Sequence, residues 1–195
     1  MAKDIFDKSI FDEYRVESLT ESVQDIIPRY NFDGSRKTTV FVSHKHDGLD
    51  EIKGLIGFLE KRYNVKAYID SWDRSMPRKT SGETANKIKQ RIKSCNKFIL
   101  LATNGAVESK WCNWELGYGD AQKFDASNIA LFPIKPEGTY DNDYKGNEYM
   151  QIYPHIAYYY GNERYSNGTI IEKGFYVCTD TENDRTITPL EKWLK

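Results

Sequence analysis

Four short apolar runs recur along the middle of the chain, at residues 38–43 (TTVFVS), 65–70 (VKAYID), 97–103 (KFILLAT) and 128–134 (NIALFPI). Each is rich in β-branched or aromatic residues and short enough for a buried strand. Between them the apolar spacing changes to that of a helix. Leu49, Ile52, Leu55, Ile56 and Leu59 form one stripe, with Asp47 placed to cap it. Gly54 and Gly57 weaken that helix and imply close packing at their positions. Thr80 and Glu83 read as a capping box for a second helix, which buries Ala85, Ile88, Ile92 and Cys95. Lys87, Lys89, Arg91 and Lys93 fall on its other faces, as a solvated surface would. A third helix is expected from about residue 109 to 123.

Outside residues 38–134 the pattern is weaker. Val16, Leu19, Val23, Ile26 and Ile27 have near-helical spacing, ended by Pro28 and by turn residues from Asn31 to Gly34. Residues 1–36 therefore read as an N-terminal helical extension and linker, and residues 37–195 as the main domain. Beyond residue 134, a loop is expected over 136–146, a fifth strand over 153–160 and a short strand over 174–178. Thr188, Pro189 and Glu191 carry helix-start chemistry, so a short helix should close the chain at residues 190–194. Strands alternating with helices call for an α/β fold. The expected form is a flavodoxin-like three-layer sandwich around a central parallel sheet of about five strands.

Composition narrows the function. With 28 basic and 29 acidic side chains in 195 residues, the net charge of −1 offers no argument for nucleic acid or membrane as a partner. No apolar stretch approaches a bilayer-spanning length, and the first residues are too polar for a secretory signal. Cys95, Cys112 and Cys178 form no CxxC pair, so a structural zinc site is not expected. Reduced, buried thiols fit a cytoplasmic protein.

In a parallel sheet of this class, ligands bind beyond the carboxyl ends of the strands. Ser43 and His44 follow the first strand, Asp70 to Trp72 the second, and Thr103 with Asn104 the third. The next helix opens with SKWCNWELGYG, whose spacing puts Trp111, Glu115 and Tyr118 on one face and Cys112 with Leu116 on the adjacent, inward one. There is no GxGxxG and no GxxxxGK[ST], so dinucleotide-fold and P-loop readings lose their main supports. A phosphoacceptor aspartate would be needed after the third strand, and Thr103-Asn104 stands there instead. His44-x-His46 lacks an evident third ligand, so no metal is expected. Taken alone, Glu115 reads as a solvated helix charge, Trp111 and Trp114 as core or interface residues, and Asp70 as a loop-holding residue.

The segments TVFVSHKHD, YIDSWDRSMP and SKWCNWELGYGDA together resemble the three sequence boxes of Toll/interleukin-1 receptor (TIR) domains. The serine–tryptophan–cysteine–two residues–glutamate pattern resembles the enzymatic TIR domains of bacteria and plants most closely. The resemblance covers about residues 38–134 and implies that Glu115 is catalytic, cleaving NAD+ at the nicotinamide–ribose bond. It implies NAD+ contacts from Ser43, His44, Trp72 and Trp111, with Asp70 beside them, and no cofactor other than NAD+ as substrate. Arg74, Arg78 and Lys79 would attract the pyrophosphate. The products implied are nicotinamide and ADP-ribose, or a cyclic or conjugated ADP-ribose signal that activates a separate effector in antiviral defence. Self-association through the loop at residues 71–82 is implied as well. His44 departs from many enzymatic members, which carry an arginine or an aromatic residue there. Two other readings remain open: a non-enzymatic TIR adaptor, and an enzyme like the nucleoside deoxyribosyltransferases.

Overall fold

The computed structural model describes residues 3–15, 37–45, 49–73, 81–135 and 148–195. Five parallel strands form its centre: β1 (Thr39–Ser43), β2 (Lys66–Tyr68), β3 (Lys97–Ala102), β4 (Ile129–Pro133) and β5 (His155–Tyr159). Two antiparallel strands, β6 (Gly174–Asp180) and β7 (Arg185–Pro189), extend one edge. The order is β2-β1-β3-β4-β5-β6-β7. The parallel part is the expected doubly wound arrangement, with its switch point between β1 and β3.

Strand alternation sends side chains to two separate cores. Val40 and Val42 of β1, with Ile99 and Leu101 of β3, face one layer. That layer consists of α1 (Leu49–Gly57), the π-helical turn that continues it (Phe58–Arg62), and α5 (Leu190–Trp193). Phe41, Phe98 and Leu100 face the other layer, built from α2 (Gly82–Ser94), α3 (Asn104–Glu108) and α4 (Lys110–Lys123). Phe41 and Phe98 stack at 5.5 Å across adjacent strands, beneath α4. Gly119 lets α4 settle there: a Cβ at that position would lie 2.9 Å from the Phe98 ring.

The first residues belong to this packing. Lys3 bridges to Tyr158 and Phe6 to Ile134. A 3-10 helix follows at Lys8–Tyr14, and Phe6 and Phe11 are fully buried in the α1-side core. Asp4 is clasped by Arg185 at 3.1 Å, and Arg185 also binds Asp180. The helix expected around Val16–Ile27, the Asp47 cap and the 136–146 loop lie outside the described residues.

Several local expectations are corrected. The box at the start of α2 is built by Ser81 and Thr84, one residue later than expected, with the Ser81 N–H donating to Thr84 Oγ1 at 3.1 Å. Thr84 is buried and Ala85 only partly so. Helix α3, absent from the sequence reading, is capped by Thr103, whose Oγ1 accepts from the Ala106 N–H at 3.1 Å. β2 ends at Tyr68, and Asp70–Trp72 form a 3-10 turn where Asp70 was expected to close the strand and residues 71–72 to open a loop. Thr188 does not cap the final helix; it sits in β7, and Pro189 precedes α5.

Candidate active site

Ser43 ends β1 and pairs with Leu100 of β3, so the sheet register fixes its position. Alternation turns it to the same side as Phe41, toward α4. That helix starts where Ser109 Oγ accepts the Cys112 N–H at 3.3 Å. Glu115 lies one turn further on. The Ser43 hydroxyl donates to Glu115 Oε2 at 2.5 Å, and both residues are buried, 1% and 2% exposed. A carboxylate withdrawn from water is costly unless hydrogen bonds stabilise its charge.

The helical face carrying Glu115 differs from the expected one. Glu115 shares its face with buried Cys112, Leu116 and Gly119. Trp111, Trp114 and Tyr118 form a partly exposed aromatic ladder instead, with Trp111 and Trp114 centred 5.1 Å apart and Trp114 stacked on Tyr118 at 6.3 Å. Lys89 of α2 lies over the ladder, 5.8 Å from Trp114 and 5.2 Å from Tyr118. Lys89 thus links α2 to Trp114 and Tyr118 of α4.

Beside Glu115 a cleft of about 380 Å³ opens at the carboxyl ends of β1 and β2. His44, Lys45, Asp70, Thr84, Ser109, Trp111 and Cys112 line it. The sequence-derived residues His44, Asp70 and Trp111 therefore meet in one cavity. Ser43 and Glu115 are not among its lining residues. The backbone of Trp72 belongs to the 3-10 turn, and its side chain lies outside the described residues, as do Arg74, Arg78 and Lys79. Lys45, Thr84, Ser109 and Cys112 were not foreseen as lining residues. Two had a legible signal: Ser109 as the cap of α4, and Cys112 at three residues before Glu115.

The wall of the cleft is held by polar contacts. His44 Nε2 and Ser71 Oγ are in hydrogen-bond contact at 3.2 Å, tying the end of β1 to the turn after β2. Asp73 then fastens that turn to α2. Its Oδ2 accepts from the Tyr68 hydroxyl at 2.8 Å and from Arg91 Nη2 at 3.0 Å. Burial pushes the Cys112 thiol up to about 11, and the carboxylates of Glu115 and Asp70 add to this against hydrogen bonds from Ser109 and Ser43. Burial thus favours the neutral thiol of Cys112, which forms part of the cleft wall. Among the described residues, no group of three or more His, Cys, Asp or Glu side chains is placed to hold a metal ion.

The family model described as TIR domain matches residues 40–159, well over half of the chain. The chain belongs to the TIR domain family. This TIR domain protein is also 32% identical, over 130 residues, to a probable 3′ cyclic ADP-D-ribose synthase, ThsB′, of Bacillus cereus (strain MSX-D12). The match covers 65% of this chain and 64% of that relative, so it spans somewhat less than two thirds of each. No helix among the described residues of this TIR protein is long and apolar enough to cross a membrane.

Proposed function

We propose that this TIR protein is an NAD+-consuming enzyme that cleaves the nicotinamide–ribose bond, with Glu115 as its catalytic carboxylate. The observation that carries the reading is the burial of Glu115 at the carboxyl ends of the central strands, bound by Ser43 and adjoining a cleft lined by His44, Asp70 and Trp111. The match to a relative named as a cyclic ADP-D-ribose synthase supports it.

One carboxylate suffices for this chemistry. Ordinary glycosidases need a second carboxyl group to protonate a poor leaving group. In NAD+ the nicotinamide nitrogen is already cationic. When the C1′–N bond breaks, the electron pair goes to that nitrogen and nicotinamide leaves neutral. The positive charge passes to the ribosyl oxocarbenium ion, which a fixed carboxylate in a low-dielectric setting stabilises. A nucleophilic oxygen or nitrogen then forms the new bond at C1′ and releases its proton. Water gives ADP-ribose; a group within the ADP-ribosyl moiety gives a cyclic product.

In this reading Trp111 supplies an aromatic surface for the nicotinamide or adenine ring, and His44 and Asp70 border the ribose. Glu115 meets the substrate only once the wall formed by Cys112 and the residues after β1 parts. Self-association involving residues 71–82 would provide that rearrangement, and the nucleotide product would act on a separate effector in antiviral defence within the cytoplasm.

The test is incubation of concentrated protein with NAD+, alone and under conditions that favour assembly, with chromatographic resolution of nicotinamide, ADP-ribose and cyclic products. Nicotinamide release lost in Glu115→Ala is expected. Absence of release under every assembly condition would sink the enzymatic reading and favour the adaptor. Exchange of bases on deoxynucleosides without NAD+ cleavage would favour a nucleoside transferase.

A further inference from the structure

The contact between Ser43 and Glu115 assigns a role to the serine that differs from substrate binding. Ser43 is 1% exposed, does not line the cleft, and its hydroxyl donates to Glu115 Oε2 at 2.5 Å. Its backbone is the last rung of β1, registered against Leu100 in the centre of the parallel sheet. A serine side chain has one heavy-atom torsion, so this hydroxyl is delivered from a rigid strand with little freedom. Glutamate has three torsions and an exchangeable pair of oxygens. We infer that Ser43 is a positioning residue for Glu115. It selects one glutamate rotamer, holds Oε2 against the sheet and so determines where Oε1 is aimed. The inference rests on the reading of Glu115 as the catalytic carboxylate.

A hydrogen bond donated to a carboxylate in a buried site favours its charged form, the form that an oxocarbenium ion requires. Preorganised charge is worth more to catalysis than charge that must turn into place during the reaction. The cap at Ser109 and the close approach of Gly119 to Phe98 hold α4 at both ends of the segment that carries Glu115. Ser43 fixes the remaining freedom, which lies in the side chain.

The experiment compares Ser43→Ala and the near-isosteric Ser43→Cys with the wild type, each checked for cooperative thermal unfolding. In Ser43→Ala, kcat for nicotinamide release is expected to fall about 10- to 100-fold while KM for NAD+ stays within about two-fold, the pattern of a lost transition-state contribution. Ser43→Cys, a weaker donor, should fall between. A second readout needs no turnover. The Glu115 carboxyl carbon, assigned in ¹³C-labelled protein by its loss in Glu115→Gln, should titrate at higher pH in Ser43→Ala. A raised KM with unchanged kcat would overturn the inference in favour of a substrate contact. An unchanged Glu115 titration would overturn it outright. If wild-type protein never releases nicotinamide, the enzymatic reading fails, and the titration still decides whether Ser43 governs Glu115.

Discussion

The Cβ of Phe11 occupies the space that any side chain at position 54 would need: a Cβ on Gly54 would lie 2.4 Å from it and 3.0 Å from the Phe11 carbonyl oxygen. The 3-10 helix at Lys8–Tyr14 thus rests directly on the backbone of α1. Phe11 continues into a ring cluster with Phe58 at 5.8 Å and Phe132 at 5.1 Å.

Gly54→Ala is therefore expected to destabilise the protein by about 2 kcal/mol, as overpacking against backbone does. Phe11→Ala should cost about 3–5 kcal/mol by emptying a buried site. Urea unfolding midpoints measure both. In the double variant, the cost of Gly54→Ala should shrink, because the atom it strikes belongs to the segment that Phe11 anchors.

Glu115→Gln keeps the size and burial of the side chain and removes its charge. Nicotinamide release should drop at least about 100-fold, the scale of losing a preorganised transition-state contact. The variant should unfold at a temperature equal to or above that of the wild type, because a buried charge is replaced by a neutral amide. Substantial residual turnover in Glu115→Gln would show that the charge is not what the reaction uses.

The turn after β2 hangs on Asp73, which is nearly buried and pairs with Arg91. Arg91→Ala strips a cation from this carboxylate and should cost about 2 kcal/mol, somewhat less than for a fully enclosed pair because Arg91 is partly exposed. Tyr68→Phe removes only the hydroxyl donor and should cost about 1 kcal/mol. Limited proteolysis should show faster cleavage after residue 73 in Arg91→Ala than in Tyr68→Phe.

Alkaline pH should destabilise the fold from about pH 9 upward. Burial pushes the thiols of Cys95 and Cys112 up to about 11 from 9.0. Between these values the unfolded chain gives up protons that the folded chain retains. Stability is therefore intact below about pH 9 and falls as pH rises toward 11. Urea midpoints at pH 7, 9 and 10.5 should show this decline, and the double variant Cys95→Ala/Cys112→Ala should show a shallower one. Below pH 9 the native thiols should resist alkylation.

Much of the parallel half was legible because its strands are continuous apolar runs flanked by helix-start chemistry. Runs such as Phe98–Ala102 have one stable place, between two layers. What was missed shares a different physics. β7 alternates Thr186, Ile187 and Thr188 at an edge, is mostly half-exposed and ends in Pro189, so it carries no buried run. α3 is a single short turn of helix whose residues are ordinary in loops. The face of α4 was misassigned because helical spacing groups Glu115 equally with Trp111 and with Cys112. Burial of Phe98 against Gly119 decides the rotation, and that contact is long-range. That His44, Asp70 and Trp111 border one cleft followed from topology, since the first two follow strands and the third opens α4; their role as ligand contacts came only from the family resemblance. Thr84 entered through the packing of α2, which no local pattern states.

The way the N-terminal residues are used has a practical consequence for anyone handling this domain. Residues 40–159 carry the family's pattern, but the side chains that fill the α1 side come from both flanks as well: Phe6 and Phe11 before it, Phe175, Leu190 and Trp193 after it. Phe6 meets Phe175 directly, at 5.8 Å, across the whole length of the matched segment. A fragment trimmed to the family boundaries would retain Ser43, His44 and Glu115 and lose one wall of the vessel that holds them. The packed unit is thus wider than the matched segment on both sides.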